Sequence, residues 1–139
     1  MCRIEINKKE LSTYITAGLP DMEGTKAWIK AQAEAGADCV GLNIPFSDPV
    51  ADDPKQQEES YQSILKGTNL KKVFQLMEEM RGEKVEISVV FRLYYNTVLR
   101  FGVEAFAKKC KEIGVTGLTI PDLPTVEQEE LQTALDKEI

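Results

Sequence analysis

Histidine is absent from this 139-residue sequence. That removes Ser-His-Asp and Cys-His nucleophile systems, and any metal site with an imidazole ligand. Acid–base work falls to Asp, Glu, Lys, Tyr or Cys. Cysteine is scarce: Cys2, Cys39 and Cys110 are odd in number and far apart. The pattern argues against a disulfide framework or a CxxC metal site and for reduced thiols, with Cys39 and Cys110 packed as small hydrophobes. Basic charge is short too. With 17 Lys and Arg against 23 Asp and Glu, the net charge is −6, and no basic stripe exists to neutralise phosphates, so no nucleic-acid partner is expected. No apolar run approaches the length of a membrane span, and Met1 to Glu5 lacks the apolar core of a signal peptide. No membrane partner is expected, and the acidic balance suits a cytoplasmic location.

What remains is ordinary for a globular protein: 42% hydrophobic and 29% charged residues. Residues 1–139 make one domain, with enough chain for a real core. Thr13 to Gly18 is a short β-prone run stopped by Gly18 and Pro20. Asp21 is placed to cap a helix running to about Ala35, with Gly36 as its stop. Cys39 to Pro45 reads as a second strand, followed by helices over Gln57 to Lys66 and Leu70 to Arg81. In the latter, Val73, Leu76, Met77 and Met80 form one apolar stripe. Val85 to Tyr95 reads as a third strand, and Val103, Phe106, Ala107 and Cys110 mark another amphipathic helix. Gly117 to Asp122 is a fourth strand, and a last helix begins near Thr125.

Strand and helix thus alternate, which means a parallel sheet with crossover helices. Crossovers of one hand in simple succession place the helices on one side and leave the other face of the sheet to be covered. The expected fold class is α/β: a TIM-barrel-type half barrel, (βα)4 with parallel strands, against about 250 residues for a complete (βα)8 barrel.

From Cys39 to Pro54 the sequence reads CVGLNIPFSDPVADDP, an apolar strand running into a loop of prolines and aspartates. This stretch combines with Tyr14-Ile-Thr-Ala-Gly18, Ala35-Gly-Ala-Asp38, Tyr94-Tyr-Asn96, Phe101-Gly102 and Ile120-Pro-Asp-Leu-Pro124. In this order and spacing the set resembles the tryptophan synthase α subunit over nearly the whole chain. PFSDP followed by AD is the specific part. The resemblance implies a TIM barrel that cleaves indole-3-glycerol phosphate to indole and glyceraldehyde 3-phosphate without a cofactor or metal, and that hands indole to a β subunit. Such a retro-aldol cleavage moves protons at the indole ring and at the glycerol hydroxyl. Two carboxylates in different environments suit that work.

The same resemblance assigns residues. The aspartate of the family's pair falls on Asp52, and its glutamate falls on Gly41, which has no proton to give. Loss of a positioned acid–base typically costs about 10² to 10⁴ in rate. Alternation puts Ser88, Val90, Arg92 and Tyr94 on one face, and there Arg92 stands at a family position that is apolar. Asn43 and Asp53 replace glycines, Leu19 replaces an acidic residue, and the family's phosphate cradle has no counterpart in this sequence. The expected pocket comprises Tyr14, Thr16, Asn43, Arg92, Tyr94 and Asp122; Pro45, Phe46, Ser47, Asp48 and Pro49 form the expected partner-docking loop.

Asp48, Asp52 and Asp53 are clustered in sequence, a pattern read as loop and cap chemistry in preference to a metal site. Arg92 either anchors an anionic ligand or pairs with an acid. Tyr14 and Tyr94 are pocket walls or packing. Little or no lyase activity is expected of this chain. A binding relative, half of an active lyase, or a new activity built on Arg92 and Asp52 are the functions that follow. The open sheet implies a homodimer, and the preserved loop implies a tryptophan synthase β chain as partner.

Overall fold

A computed structural model describes residues 9–138. Cys2 and the first residues of the chain lie outside the described part. Four strands, β1 (Ser12–Thr16), β2 (Cys39–Asn43), β3 (Ser88–Arg92) and β4 (Gly117–Thr119), form one parallel sheet in the order β1-β2-β3-β4. Between them run α1 (Met22–Glu34), α2 (Pro54–Leu65), α3 (Leu70–Gly82), α4 (Tyr95–Phe101) and α5 (Val103–Glu112). After β4 come a 3-10 turn (Thr125–Glu127) and α6 (Glu129–Lys137).

Local chemistry accounts for the helix starts. Asp21, Asp53 and Asn69 each accept a backbone N–H from three residues on, Gly24, Gln56 and Lys72, at 2.6, 2.8 and 3.0 Å. Pro54 begins α2 at a position where no N–H is needed. α1 ends with Gly36 at φ +95°, a conformation that glycine adopts without strain.

The sheet differs from expectation mainly at its ends. The run from Val85 to Tyr95 looks β-prone throughout, yet only Ser88–Arg92 is strand. Tyr95 already belongs to α4, whose first N–H is taken by the Asp122 carboxylate at 2.9 Å. Gly102, at φ +102°, then turns the chain between α4 and α5. β4 is only three residues long and stops at Thr119. The pairing nevertheless continues past formal strand ends, with Ala17 N–H donating to Asn43 O, Ile44 N–H to Arg92 O and Leu93 N–H to Thr119 O.

One face of the sheet carries Val40, Leu42, Val89, Phe91 and Leu93, all fully buried beneath the helices. The expected α3 stripe of Val73, Leu76, Met77 and Met80 packs there, with Ile29 of α1 and Phe106 of α5. Phe74 sits at its centre, 5.2 Å edge-on to Phe101 and 6.1–6.3 Å from Phe106 and Phe91. Each such side chain contributes about 1.5–3 kcal/mol by burial. Cys39 and Cys110 are both buried. At the N-terminal end of the strands Arg81 donates to four backbone carbonyls, of Val85, Ile87, Ile113 and Gly114, tying α3 to the chain entering β3 and leaving α5.

Among the described residues the opposite face carries no helix except α2, which lies over the C-terminal ends of β1 and β2. The middle row of that face, in register across the sheet, is Tyr14, Gly41, Val90 and Gly117; the next row towards the strand C-termini is Thr16, Asn43, Arg92 and Thr119.

Candidate functional site

The chemistry-bearing residues gather where the strands end. The loop from Ile44 to Asp53 folds back over the end of β3. Its path is pinned by Tyr94, whose hydroxyl accepts the Ala51 N–H at 2.9 Å and whose ring stacks on Phe46 at 5.2 Å and 20°. Asp52 N–H donates to Pro49 O at 3.0 Å, and Gln57 Nε2 donates to Asp52 O at 2.9 Å. Tyr94 is buried by this loop. Pro45 is buried as well, while Ser47, Asp48 and Val50 at the tip are exposed, with Ser47 Oγ donating to Asp48 at 2.8 Å.

The loop delivers the Asp52 side chain, only 1% exposed, to Arg92 of β3. Arg92 Nη2 makes an ion pair with Asp52 Oδ1, and Nη1 approaches Asn43 Oδ1 at 3.5 Å. Neither carboxylate oxygen of Asp52 has a hydrogen bond of regular geometry, so the guanidinium is what compensates this buried charge. Burial works against the charge on Arg92, but the bond to Asp52 and the neighbouring Tyr14 outweigh it and raise its pKa. Burial also raises the phenol pKa values of Tyr14 and Tyr94.

Gly41 stands beside Tyr14 in the middle row. A Cβ built on Gly41 would meet Tyr14 Cδ2 at 3.0 Å, so a side chain at that position needs the half-exposed ring to shift. Thr16 and Asn43 are buried beneath α2. Thr16 Oγ1 donates to Glu59 at 2.9 Å, Asn43 Nδ2 to Ser60 at 3.4 Å, and Ser63 Oγ to Ala17 O at 2.5 Å. α2 therefore lies across the C-terminal ends of β1 and β2.

The structure thus brings together Tyr14, Thr16, Asn43, Asp52, Arg92 and Tyr94. Asp122 is exposed and serves as the cap of α4. Asp53 caps α2 and Asp48 is engaged with Ser47, so the three aspartates of the loop face three different tasks. Among the described residues no three His, Cys, Asp or Glu side chains converge as metal ligands would. Glu59 escaped the sequence reading. Its signal was the small polar pair Ser60 and Ser63 on α2, three apart, which marks a face in close contact with something polar.

The sequence profile of the tryptophan synthase alpha chain family matches residues 3–139. The chain belongs to that family. It is similar to the tryptophan synthase alpha chain of Lachnospira eligens, with 48% identity over 96% of this chain and 50% of the relative. With that of Alkaliphilus metalliredigens the identity is 45% over the same shares. Among solved structures, tryptophan synthase subunit alpha from Legionella pneumophila superposes with a TM-score of 0.90 at 32% identity, over 94% of this chain and 50% of that one. The tryptophan synthase complex from Pyrococcus furiosus gives 0.86 at 35% identity, over 93% and 53%. The chain spans about half the length of the curated relatives it matches. Its four strands carry the curvature and order of half a TIM barrel.

Within this family framework, the strand ends hold one buried carboxylate, paired to a guanidinium, and the row below holds a glycine with an aromatic ring beside it. Such an arrangement can recognise and pack. The Asp52 oxygen nearest the sheet is engaged by Arg92, and no second carboxylate sits beside it on β2.

Proposed function

We propose that this tryptophan synthase alpha-type chain does not itself carry out the lyase reaction and acts through association. The observation that carries this reading is Gly41 at the position where the family resemblance expects a glutamate, with the Tyr14 ring against it. Asp52, the other resemblance-assigned carboxylate, is committed to Arg92. The exposed tip of the 45–49 loop, with Ser47 and Asp48 outward, is the surface offered to a tryptophan synthase β chain. One solved relative, from Pyrococcus furiosus, is described as a tryptophan synthase complex, which supports that partner. The open sheet face is the surface offered to a second copy of the chain. An acidic protein of this family suits the cytoplasm.

The test is indole release from indole-3-glycerol phosphate, measured with the chain alone and with a β chain from the same source. No indole above background is expected. Turnover within about tenfold of a median enzyme's ~10 s⁻¹ overturns the proposal. Gly41→Glu alone is expected to leave the result unchanged, because a side chain there must first displace the Tyr14 ring and Arg92 still holds Asp52.

The half-length match to the relatives favours one other reading, in which this chain is half of an active lyase. Indole release that appears only when the C-terminal half of a relative's barrel is added would replace the first reading with this one.

A further inference from the structure

Two grooves of opposite charge flank α4 near the C-terminal ends of the strands. The first, of about 470 Å³, lies between the start of the 44–53 loop, the start of α3 and α4 itself. Its apolar lining comes from Ile44, Pro45, Leu70 and Phe101, and its charged residues are Lys71 and Arg100, with no acid beside them in the lining. Both cations are exposed, and among the described residues neither has an ion-pair or hydrogen-bond partner. Lys26, Lys30, Arg92, Lys109 and Lys137, by contrast, are each paired with a carboxylate. Lys71 also stands in the first turn of α3, where the positive helix end disfavours a cation and no acid offsets it.

The second groove lies between the start of α5 and the turn that leads into α6. It carries Glu104, Glu127, Glu129 and Glu130 against one cation, Lys137, which Glu104 takes up at 3.3 Å. Glu127, Glu129 and Glu130 are exposed and have no ion-pair partner among the described residues. Val126, just before them, is 89% exposed, and α4 exposes Leu99 at 52%. Tyr95, the first residue of α4, has its phenol pKa raised by burial and then by Glu130, so the acidic turn lies beside that helix. Neither groove is lined by a strand residue, so neither belongs to the uncovered face or the edges of the sheet.

Resting on the reading of this chain as acting by association, we propose that the first groove takes the 126–130 turn of a second copy, about a twofold axis beside α4. Each copy gives its turn to the other's groove, so Lys71 and Arg100 meet Glu127 and Glu130 at two equivalent places. Val126 enters the apolar part of the groove, and the two α4 helices bring Leu99 against its own copy at the axis. The apolar residues supply the burial, and the charges set orientation and partner choice. A chain of net charge −6 repels its copies in general, so association here depends on these local opposite charges.

Light scattering on the purified chain at about a hundred micromolar and low salt should give twice the 15.6 kDa of one chain, falling as salt is raised. Lys71→Glu with Arg100→Glu makes the cationic groove acidic; Glu127→Lys with Glu130→Lys makes the turn basic. All four side chains are exposed, so both double variants should keep the far-ultraviolet spectrum, and each by itself should run at the mass of a single chain. Mixed in equal amounts they should recover the dimer, because each then offers the charge that the other needs. A natural chain that stays monomeric under these conditions overturns the proposal. So does a mixture that stays monomeric, or a dimer unmoved by both double variants and lost with Val90→Asp, which would use the open face of the sheet. Indole release by the charge-dependent dimer would sink the silent-lyase reading and leave this assembly standing, whereas a monomer that releases no indole does the reverse.

Discussion

Tyr14 of β1 and Gly41 of β2 stand side by side: Tyr14 Cδ2 lies 3.0 Å from the point where a Cβ at residue 41 would stand. A glycine inside a strand costs about 0.5–1 kcal/mol relative to alanine, so the position trades strand stability for the ring beside it. Gly41→Ala in the natural chain should change stability in urea by less than about 0.5 kcal/mol, since the backbone gain is offset by displacement of Tyr14. In a Tyr14→Ala background the same substitution should stabilise by about 0.5–1 kcal/mol. Equal effects in both backgrounds would show that the two residues are not coupled.

Arg92 and Asp52 form the second such pair. Arg92→Met leaves the Asp52 carboxylate buried without compensation and should cost about 3–5 kcal/mol. Adding Asp52→Asn to that variant should recover much of the loss, because no charge then remains to be buried. Chemical denaturation of the two single variants and the double decides it. Additive losses would mean that the ion pair does not hold the loop to β3.

Cys110 predicts a dependence on alkaline pH. Burial pushes its thiol up to about 12, while an unfolded cysteine titrates near ~8.5. Between these values the native state holds a proton that the unfolded state has lost, so stability falls as pH rises. The fall reaches about 1.4 kcal/mol per pH unit, and below the unfolded value the contribution is constant. Cys110→Ala removes this titration at the expense of about 1 kcal/mol of packing at neutral pH. The stability difference between natural chain and variant should therefore shrink, then reverse, from pH 8 to pH 10.5. Tyrosine and lysine titrations are common to both chains and cancel. A difference that stays constant over that range would show that the thiol titrates normally.

The parallel order of the sheet, the α3 stripe from Val73 to Met80 and the caps at Asp21 and Gly36 were legible in the sequence because each is a local pattern. Periodicity and capping act over three or four residues, and the chain repeats them. The PFSDP loop was legible for another reason, its rarity. The start of α4 was misread because Tyr94 and Tyr95 favour strands locally. Its start depends on Asp122, a residue beyond α5 that only the folded chain brings to the Tyr95 N–H. Arg92 could be flagged as an ionised group among apolar neighbours, but the sequence left open whether it meets a ligand or an acid.

Composition and pattern by themselves determined a parallel sheet with crossover helices and no histidine chemistry, since apolar spacing and residue type need no knowledge of long-range contact, and the family resemblance made that sheet half a barrel. Tertiary structure alone decided that Asp52 turns inward to Arg92, that Tyr14 lies over Gly41, that Tyr94 holds the loop by Ala51, and that Thr16 is answered by Glu59. Those contacts join segments far apart in the chain. They depend on strand register and on the path of one proline-bent loop, and neither has a period that a linear sequence can display.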